Sequence, residues 1–565
     1  MPAPLLQHHA QALIRRIAAG MMTEHGMSSM SASIYDTAWV SMIPKPGVKG
    51  PNKWLFPESF AYILSFQNAD GGWDHIGHDN DNGYPEHLTV PDCILHSLAA
   101  LLALIRHYRD DPHALVEMDG DKDTGSSLTR GLSRISNAKR YLDIKLKKLS
   151  MEKPTHFGFE LLGPVLLTLL EGEGLPFDFP AKKELISRYE KASNIDLEWL
   201  YKHKCRVPLF SLEGFIGKVD FSRLGHLVSP AGVCASPASA AAFLIYSPKW
   251  DDWCERYLRH VVNTGSGQGN GSVGGVFPLE IFEASWTLAT LLESRFTVDE
   301  LGKEDVNTIL RALTVRLEDG LAGATQTFLP DADDTARVIT TLNYLGYKAR
   351  PDQMVKSFEG TDCFQTFDHR VPSSPTSVSV NANVLNCLLQ SPAPNTFNSQ
   401  IEKLARYLCE RVSDDKKMAD HWNISEYYGI LTVTQALSSL LPRPGRDISP
   451  AISLETMFST IPSCLQTLLS RLLSSQKPNG SWGNLNSVEE TAYAIIALSS
   501  LNQHAFAGSE KKRDTTVAVG RGKQFLLERW VPGSPAPDRL WAGKFLQEFQ
   551  IVKEGYILAA LKTRP

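Results

Sequence analysis

Three aspartates occupy four positions, Asp331, Asp333 and Asp334, in the stretch FLPDADDTARVITTL. A proline precedes them and an apolar run of helical period follows, so the cluster falls where a helix begins. A helix N-terminus favours an anion by about 0.3–1 kcal/mol. Two carboxylates about 5 Å apart repel by about 3 kcal/mol at an effective dielectric near 20. Repulsion wins, so a buried cluster of this kind keeps at least one proton near neutral pH. A carboxylic acid held beside anionic neighbours is a poised Brønsted acid, suited to a very weak base such as an alkene. Protonating an alkene needs a dry site, and the carbocation that results needs apolar, aromatic walls. The chain has 24 Phe, 16 Tyr and 11 Trp to build them, and aromatic faces stabilise a desolvated cation by up to about 2 kcal/mol. The plainer use of such a cluster is a helix cap on a solvated face. A calcium loop of EF-hand type would need a glycine and a distant glutamate that this stretch lacks.

The elements that must position the acid are helices. CILHSLAALLALIRHY, ELLGPVLLTLLEG, EIFEASWTLATLLESRF, NANVLNCLLQ, YGILTVTQALSSLL and ETAYAIIALSSL repeat apolar residues at helical spacing. Period-two patterns are nearly absent, and the fold class is all-α. Two echoes run along the chain. QNADGGW (67–73) and QKPNGSW (476–482) share Q-x-x-x-G-x-W, while YDTAWVSMI, DDTARVITTL and EETAYAIIAL share an acidic-Thr-Ala start ahead of an apolar helix. Recurrence of one turn-plus-helix unit predicts helical hairpins stacked into toroids, with the glutamine bonding a helix end and the tryptophan packed beneath it. Of the Gly/Ser-rich stretches, 263–275 reads as a domain boundary and 119–131 as a surface loop.

A length of 565 residues allows two or three domains. The net charge of −5 gives no footprint for nucleic acid and no polybasic surface for a membrane. The eight cysteines form no C-x-x-C pair, which fits a reducing compartment, with the cytoplasm as the expected location. No apolar run reaches the roughly 18 residues of a membrane span. The first 23 residues carry Arg15 and Arg16 and no acid, but QALIRRIAAGMM reads as an ordinary amphipathic helix before it reads as a transit peptide. Asp92, Cys93 and His96 in PDCILH have the residue types of zinc ligands, yet share one short helix and read as structural.

With these residues in view, the chain resembles a known family. DADDTA looks like the D-x-D-D-T-A signature of class II terpene cyclases, which begin cyclisation by protonating an alkene. SASIYDTAWV, QNADGGW, HFGFELLGPVLLTLLEG, VPLFSLEGF, SPASAAAFLIYS, GGVFPLEIFEASW, VNANVLNCLL and LWAGKFLQEFQIVKEGYILAAL follow in the order of diterpene cyclases. The resemblance is strongest to the class II part of fungal copalyl diphosphate synthases and covers essentially the whole chain. It implies two (α/α) helical-toroid domains, β and γ, with γ inserted after the first helix of β. That division places 1–29 and 271–565 in β and 30–270 in γ, with an active site between them. It also implies cyclisation of geranylgeranyl diphosphate to a bicyclic copalyl-type diphosphate with the diphosphate retained. A squalene-type triterpene cyclase, a drimane-type cyclase of farnesyl diphosphate and a non-catalytic prenyl-binding toroid are the alternatives.

Carried over by position, Asp333 delivers the proton, Asp331 and Asp334 tune it, and Asn383 holds it, with Asn381 as the rival for that role. Arg206 matches a residue that grips the diphosphate, with Lys204 and Lys202 nearby. Phe210, Trp286 and Phe277 fall in cavity-lining positions. The plant enzymes of the ent series have a histidine where this chain has Phe210 and an asparagine where it has Gly275, so termination differs. The family's acidic magnesium-binding run has shrunk to SMEKPTHFGFE, leaving Glu152 as the metal candidate. Mg2+ is expected to assist diphosphate binding and not ionisation. DDWCE (251–255) imitates a class I metal motif, but no N-D-x-x-S-x-x-x-E partner follows it. No class I domain is therefore expected within the chain, though one is conceivable C-terminal to it in a longer protein.

Overall fold

The computed structural model describes residues 2–49, 53–73, 86–111, 124–152, 158–203, 208–317, 319–368, 376–413, 418, 420–441, 452–484, 486–504, 509–533 and 538–564, with the side chains of 124–130, 208 and 209 left aside. The fold is all-α, with helices arranged in closed rings. Two units divide the chain: Met1–Thr23, Glu280–Trp541 and Phe549–Pro565 form the first, and Glu24–Leu279 with Ala542–Glu548 the second.

Among the described residues of the first unit, six helices make a closed ring: Glu280–Glu293, Ala332–Tyr344, Val378–Leu389, Glu426–Leu440, Val488–Leu501 and Gln550–Lys562. Each packs on the next, and the last returns to the first. Helices Ala3–Met21, Lys303–Arg316, Asn398–Ser413, Ile461–Ser474 and Ser509–Arg529 pack on the ring from outside. Sequence pattern separates the two layers. The ring helix Val378–Leu389 is buried at every position from Val378 to Leu388. The outer helix Asn398–Ser413 buries a stripe of Ile401, Leu404, Ala405, Leu408 and Val412, spaced for one helical face. Each large apolar side chain so buried contributes about 1.5–3 kcal/mol.

The second unit holds a ring of Ile34–Ser41, Glu86–Asp110, Phe159–Gly172, the 3-10 segment Pro208–Phe215 and Pro237–Tyr246. Its helix Glu86–Asp110 corrects the expectation that nothing is long enough for a membrane span. By length and composition this helix qualifies, yet 83% of its apolar window is buried, so it serves as a core helix. A second correction concerns 119–131: the helix Thr124–Lys147 already begins inside that expected loop. Ala542–Glu548, assigned by sequence to the β domain, belongs to the second unit. There Leu546 N donates to the Asp92 carboxylate at 2.8 Å and Ser31 N to Glu548 O at 2.9 Å. Asp92 thus anchors a chain segment, and His96 Nδ1 accepts from Tyr35 N at 3.1 Å, a structural use for both residues.

The Q-x-x-x-G-x-W echo is one structural device in two places. Gln67 Nε2 donates to Gly71 O (2.9 Å) and Arg134 O (3.1 Å), while Gln476 Nε2 donates to Gly480 O and Ala518 O (both 2.9 Å). Trp73 and Trp482 are fully buried and donate from Nε1 to Ile63 O and Leu472 O, each at 2.8 Å. Arg134 and Ala518 lie inside their helices and not at the ends, so the glutamine ties a turn to the side of a neighbouring helix.

Candidate active site

The acid helix Ala332–Tyr344 starts where Asp331 turns extended and its carboxylate accepts from Asp334 N at 2.7 Å, an N-cap. The cap is fastened to neighbouring chain. Asp331 N donates to Ala322 O (3.1 Å) and Ala332 N to Thr366 O (2.9 Å), while Thr335 Oγ1 accepts from Ala322 N (3.0 Å) and donates to Ala322 O (2.9 Å). The other acidic-Thr-Ala echoes fold alike. Ser33 and Ser487 take the capping place and accept from the backbone N–H of Asp36 and Glu490. Thr37 and Thr491 accept from Val273 N and Trp482 N, both at 3.1 Å. The acid before the threonine is therefore the common, structural one. The variable place precedes it, occupied by Tyr35, Asp333 and Glu489 in the three copies, and the middle copy alone has an acid at the cap as well.

Asp331, Asp333 and Asp334 are all buried. Burial raises the Asp333 carboxyl to about 8, opposed by the hydrogen bond from Asn383 and aided by the charges of Asp331 and Asp420. Asp331 is raised to about 6, again by burial, and the bonds it accepts from Asp334 pull it back. Asp334 is pushed well above the carboxylate range by burial and by the charge of Asp331. Of the trio, Asp333 therefore keeps its proton at neutral pH.

Asn383 comes from the adjacent ring helix Val378–Leu389, and its Nδ2 donates to Asp333 Oδ1 at 2.8 Å. That bond occupies one carboxyl oxygen and leaves the proton to the other. Asn381 is spent elsewhere: it donates to Phe364 O and Ser377 O and accepts from Phe364 N. One turn beyond the acid, buried Arg337 pairs with Glu293 (3.3 Å), donates to Trp286 O and Thr290 Oγ1 (both 3.2 Å), and lies 5.4 Å from the Trp286 ring centroid.

Trp286 is fully buried in the ring helix Glu280–Glu293 and donates from Nε1 to Tyr428 Oη at 3.1 Å. Burial raises the Tyr428 phenol far above its ordinary value, with Asp333 among the charges acting on it. Rings continue from there: Tyr428 to Trp541 at 4.9 Å and to Tyr493 at 5.4 Å, Phe282 to Trp286 at 4.5 Å, and Tyr493 to Tyr556 at 4.8 Å between centroids. An acid whose charge reaches a continuous aromatic group is suited to making a carbocation and keeping it from water.

The remaining candidates belong to the second unit or lie outside the described residues. Arg206 and Lys204 lie outside the described residues. Lys202 is exposed and paired with Glu198 at 3.7 Å. Phe210 and Phe277 belong to the second unit: the Lys544 ammonium stands 4.5 Å over the half-buried Phe210 ring, and Phe277 is buried with its carbonyl accepting from Tyr257 Oη at 2.6 Å. Glu152 is exposed, and among the described residues no group of three or more His, Cys, Asp or Glu could hold a metal ion. Asp251 caps the helix Asp252–Thr264 by accepting from Trp253 N and Cys254 N, which accounts for DDWCE. Sequence reasoning missed Asp420, Arg337, Tyr428, Trp541 and Glu489. Arg337 could have been found as the residue four after Asp333, on the same helix face.

No protein-family model matches the chain. Among curated proteins, the copalyl diphosphate synthase of Talaromyces verruculosus is 35% identical over 561 residues, 99% of this chain and 55% of that protein. The bifunctional ent-kaurene synthase of Gibberella fujikuroi is 34% identical over 565 residues, 98% of this chain and 56% of that protein. The chain thus spans about half the length of the curated relatives it matches. Among solved structures, the ent-copalyl diphosphate synthase from Streptomyces platensis shares the fold over 99% of both chains, with a TM-score of 0.72 at 22% identity.

Proposed function

From a chain that resembles the class II part of fungal copalyl diphosphate synthases along almost its whole length, we propose a class II diterpene cyclase. Its substrate is geranylgeranyl diphosphate and its product a bicyclic copalyl-type diphosphate, with the diphosphate retained. The observation that carries this reading is Asp333: a buried carboxyl, protonated at neutral pH, with one oxygen held by Asn383. The proton on its other oxygen passes to the terminal alkene of the prenyl chain. Successive alkenes close the two rings, and a weak base or water takes a proton from carbon to end the cascade. Asp333 becomes a carboxylate as the cation forms, and Asn383 and Arg337 stabilise that anion, so their effect grows toward the transition state. Trp286 and Tyr428 belong to the aromatic group on which the cation is stabilised.

Arg206 and Lys204 are assigned to the diphosphate. Magnesium would supply charge neutralisation for that diphosphate, with Glu152 as its one protein candidate, and no chemical step runs through the metal. The length of the relatives supports a class I domain C-terminal to this part in the whole protein, and we place the reaction in the cytoplasm.

The test is incubation of purified protein with geranylgeranyl diphosphate and Mg2+, then dephosphorylation and gas chromatography–mass spectrometry, beside Asp333→Asn. A bicyclic C20 alcohol from the unaltered protein alone is expected. Geranylgeraniol alone from both would overturn the reading, and cyclised farnesyl diphosphate or squalene would replace it with one of the other cyclases.

A further inference from the structure

Glu489 occupies, in its own copy of the repeated turn-and-helix unit, the place that Asp333 occupies in the acid helix. It is fully buried at the start of the ring helix Val488–Leu501. Its Oε1 accepts from Tyr493 Oη at 2.5 Å and from Trp541 Nε1 at 2.9 Å. Both donors carry rings of the aromatic group that reaches Tyr428, and both bond the same carboxyl oxygen. A carboxylate bonded to a phenol O–H and an indole N–H does two things at once. It fixes the tilt of both rings, and it pushes electron density into their faces, strengthening the attraction of each face for a cation.

We propose that Glu489 is a positioning residue for the cyclisation, acting through Tyr493 and Trp541 to hold and enrich the aromatic wall on which the later carbocation rests. The inference rests on the cyclase reading above and adds to it a division of labour between two copies of one unit. Asp333 starts the cation, and Glu489 sustains it after the first ring has closed. Changing Glu489 should therefore alter how far the cascade runs, whereas changing the acid or its Asn383 partner should alter only how often it starts.

The experiment compares Glu489→Gln and Tyr493→Phe with the unaltered protein on geranylgeranyl diphosphate, reading kcat, KM and product composition separately. Gln offers a carbonyl oxygen to the same two donors and removes the charge. Its expected result is a fall in kcat of about tenfold, equal to ~1.4 kcal/mol of transition-state stabilisation, with KM within about twofold. The share of monocyclic and other incompletely cyclised C20 alcohols rises. Tyr493→Phe keeps the carboxylate, loses the bond to it and the longer one that Tyr493 Oη accepts from Asn423 Nδ2 (3.4 Å), and shifts the products in the same direction by less. If Glu489→Gln does not fold, the Tyr493→Phe products decide. An unchanged product composition in a cyclising protein refutes the inference while leaving the cyclase reading intact. An unaltered protein that cyclises no prenyl substrate overturns both.

Discussion

Replacing Asn383 by alanine removes the one hydrogen bond that Asp333 Oδ1 accepts from its ring neighbour, at 2.8 Å. A hydrogen bond to a charged group contributes about 1.5–3 kcal/mol. Because Asn383 favours the ionised carboxyl, its loss raises Asp333 above its value of about 8. At 1.36 kcal/mol per unit the rise is about 1–2 units. Asp333 donates only while protonated, so activity falls as pH rises through its pKa. The basic limb of the pH–rate profile should therefore move upward by about 1–2 units in Asn383→Ala. Below the limb, kcat should fall about 10- to 150-fold, since the lost bond is one that strengthens as the carboxylate forms. The assay is a pH–rate profile of cyclised product, with Asn381→Ala as control, because Asn381 bonds Phe364 and Ser377 and not the acid. An Asn383→Ala profile with an unmoved limb and unaltered kcat would refute the reasoning, as would a limb moved downward.

Two further outcomes concern stability. Asp333 binds its proton more tightly folded than unfolded, so its contribution is greatest below pH ~4 and is lost as pH rises toward about 8. Asp333→Asn removes that loss and should be the more stable protein at pH 9, by a few kcal/mol and ~6 at most, while making no product; thermal melts at pH 5 and pH 9 measure the difference, and equal shifts at both would count against it. Trp482→Ala empties a fully buried site and frees Leu472 O, and should cost about 3–5 kcal/mol in a denaturant titration.

The helical class, the repeated units and the acid were legible in the sequence because they rest on local pattern: a 3.6-residue period, a cap, and three aspartates too close to share charge. What was not legible depends on ring closure. Asn381 and Asn383 share one helix, and sequence spacing could not decide which meets Asp333, because Asn381 is claimed by Phe364, a residue outside its own helix. Asp420 lies in ADHWNIS, a stretch without periodicity, yet its charge acts on Asp333. Glu489 read as a helix-start acid like any other until Trp541, far along the chain, donated to it. That residues 542–548 pack with the second unit was not legible, because their partners Asp92 and Ser31 lie 454 and 517 positions earlier.

The closed ring of the first unit has a consequence for the order in which the molecule can be made. Its first helix begins at residue 280 and its last at residue 550, so the seam joins segments far apart in sequence. During synthesis five ring helices can stack in order, each on its predecessor, while the flank of Glu280–Glu293 waits for Gln550–Lys562. The N-terminal helix Ala3–Met21, which packs on both Lys303–Arg316 and Gln550–Lys562, is also left without its final partner until then. Contacts of such long sequence separation form slowly, and the exposed apolar flank is where a nascent chain would aggregate. A chain that stops short of residue 550 would keep every residue of the acid cluster and still present an open seam.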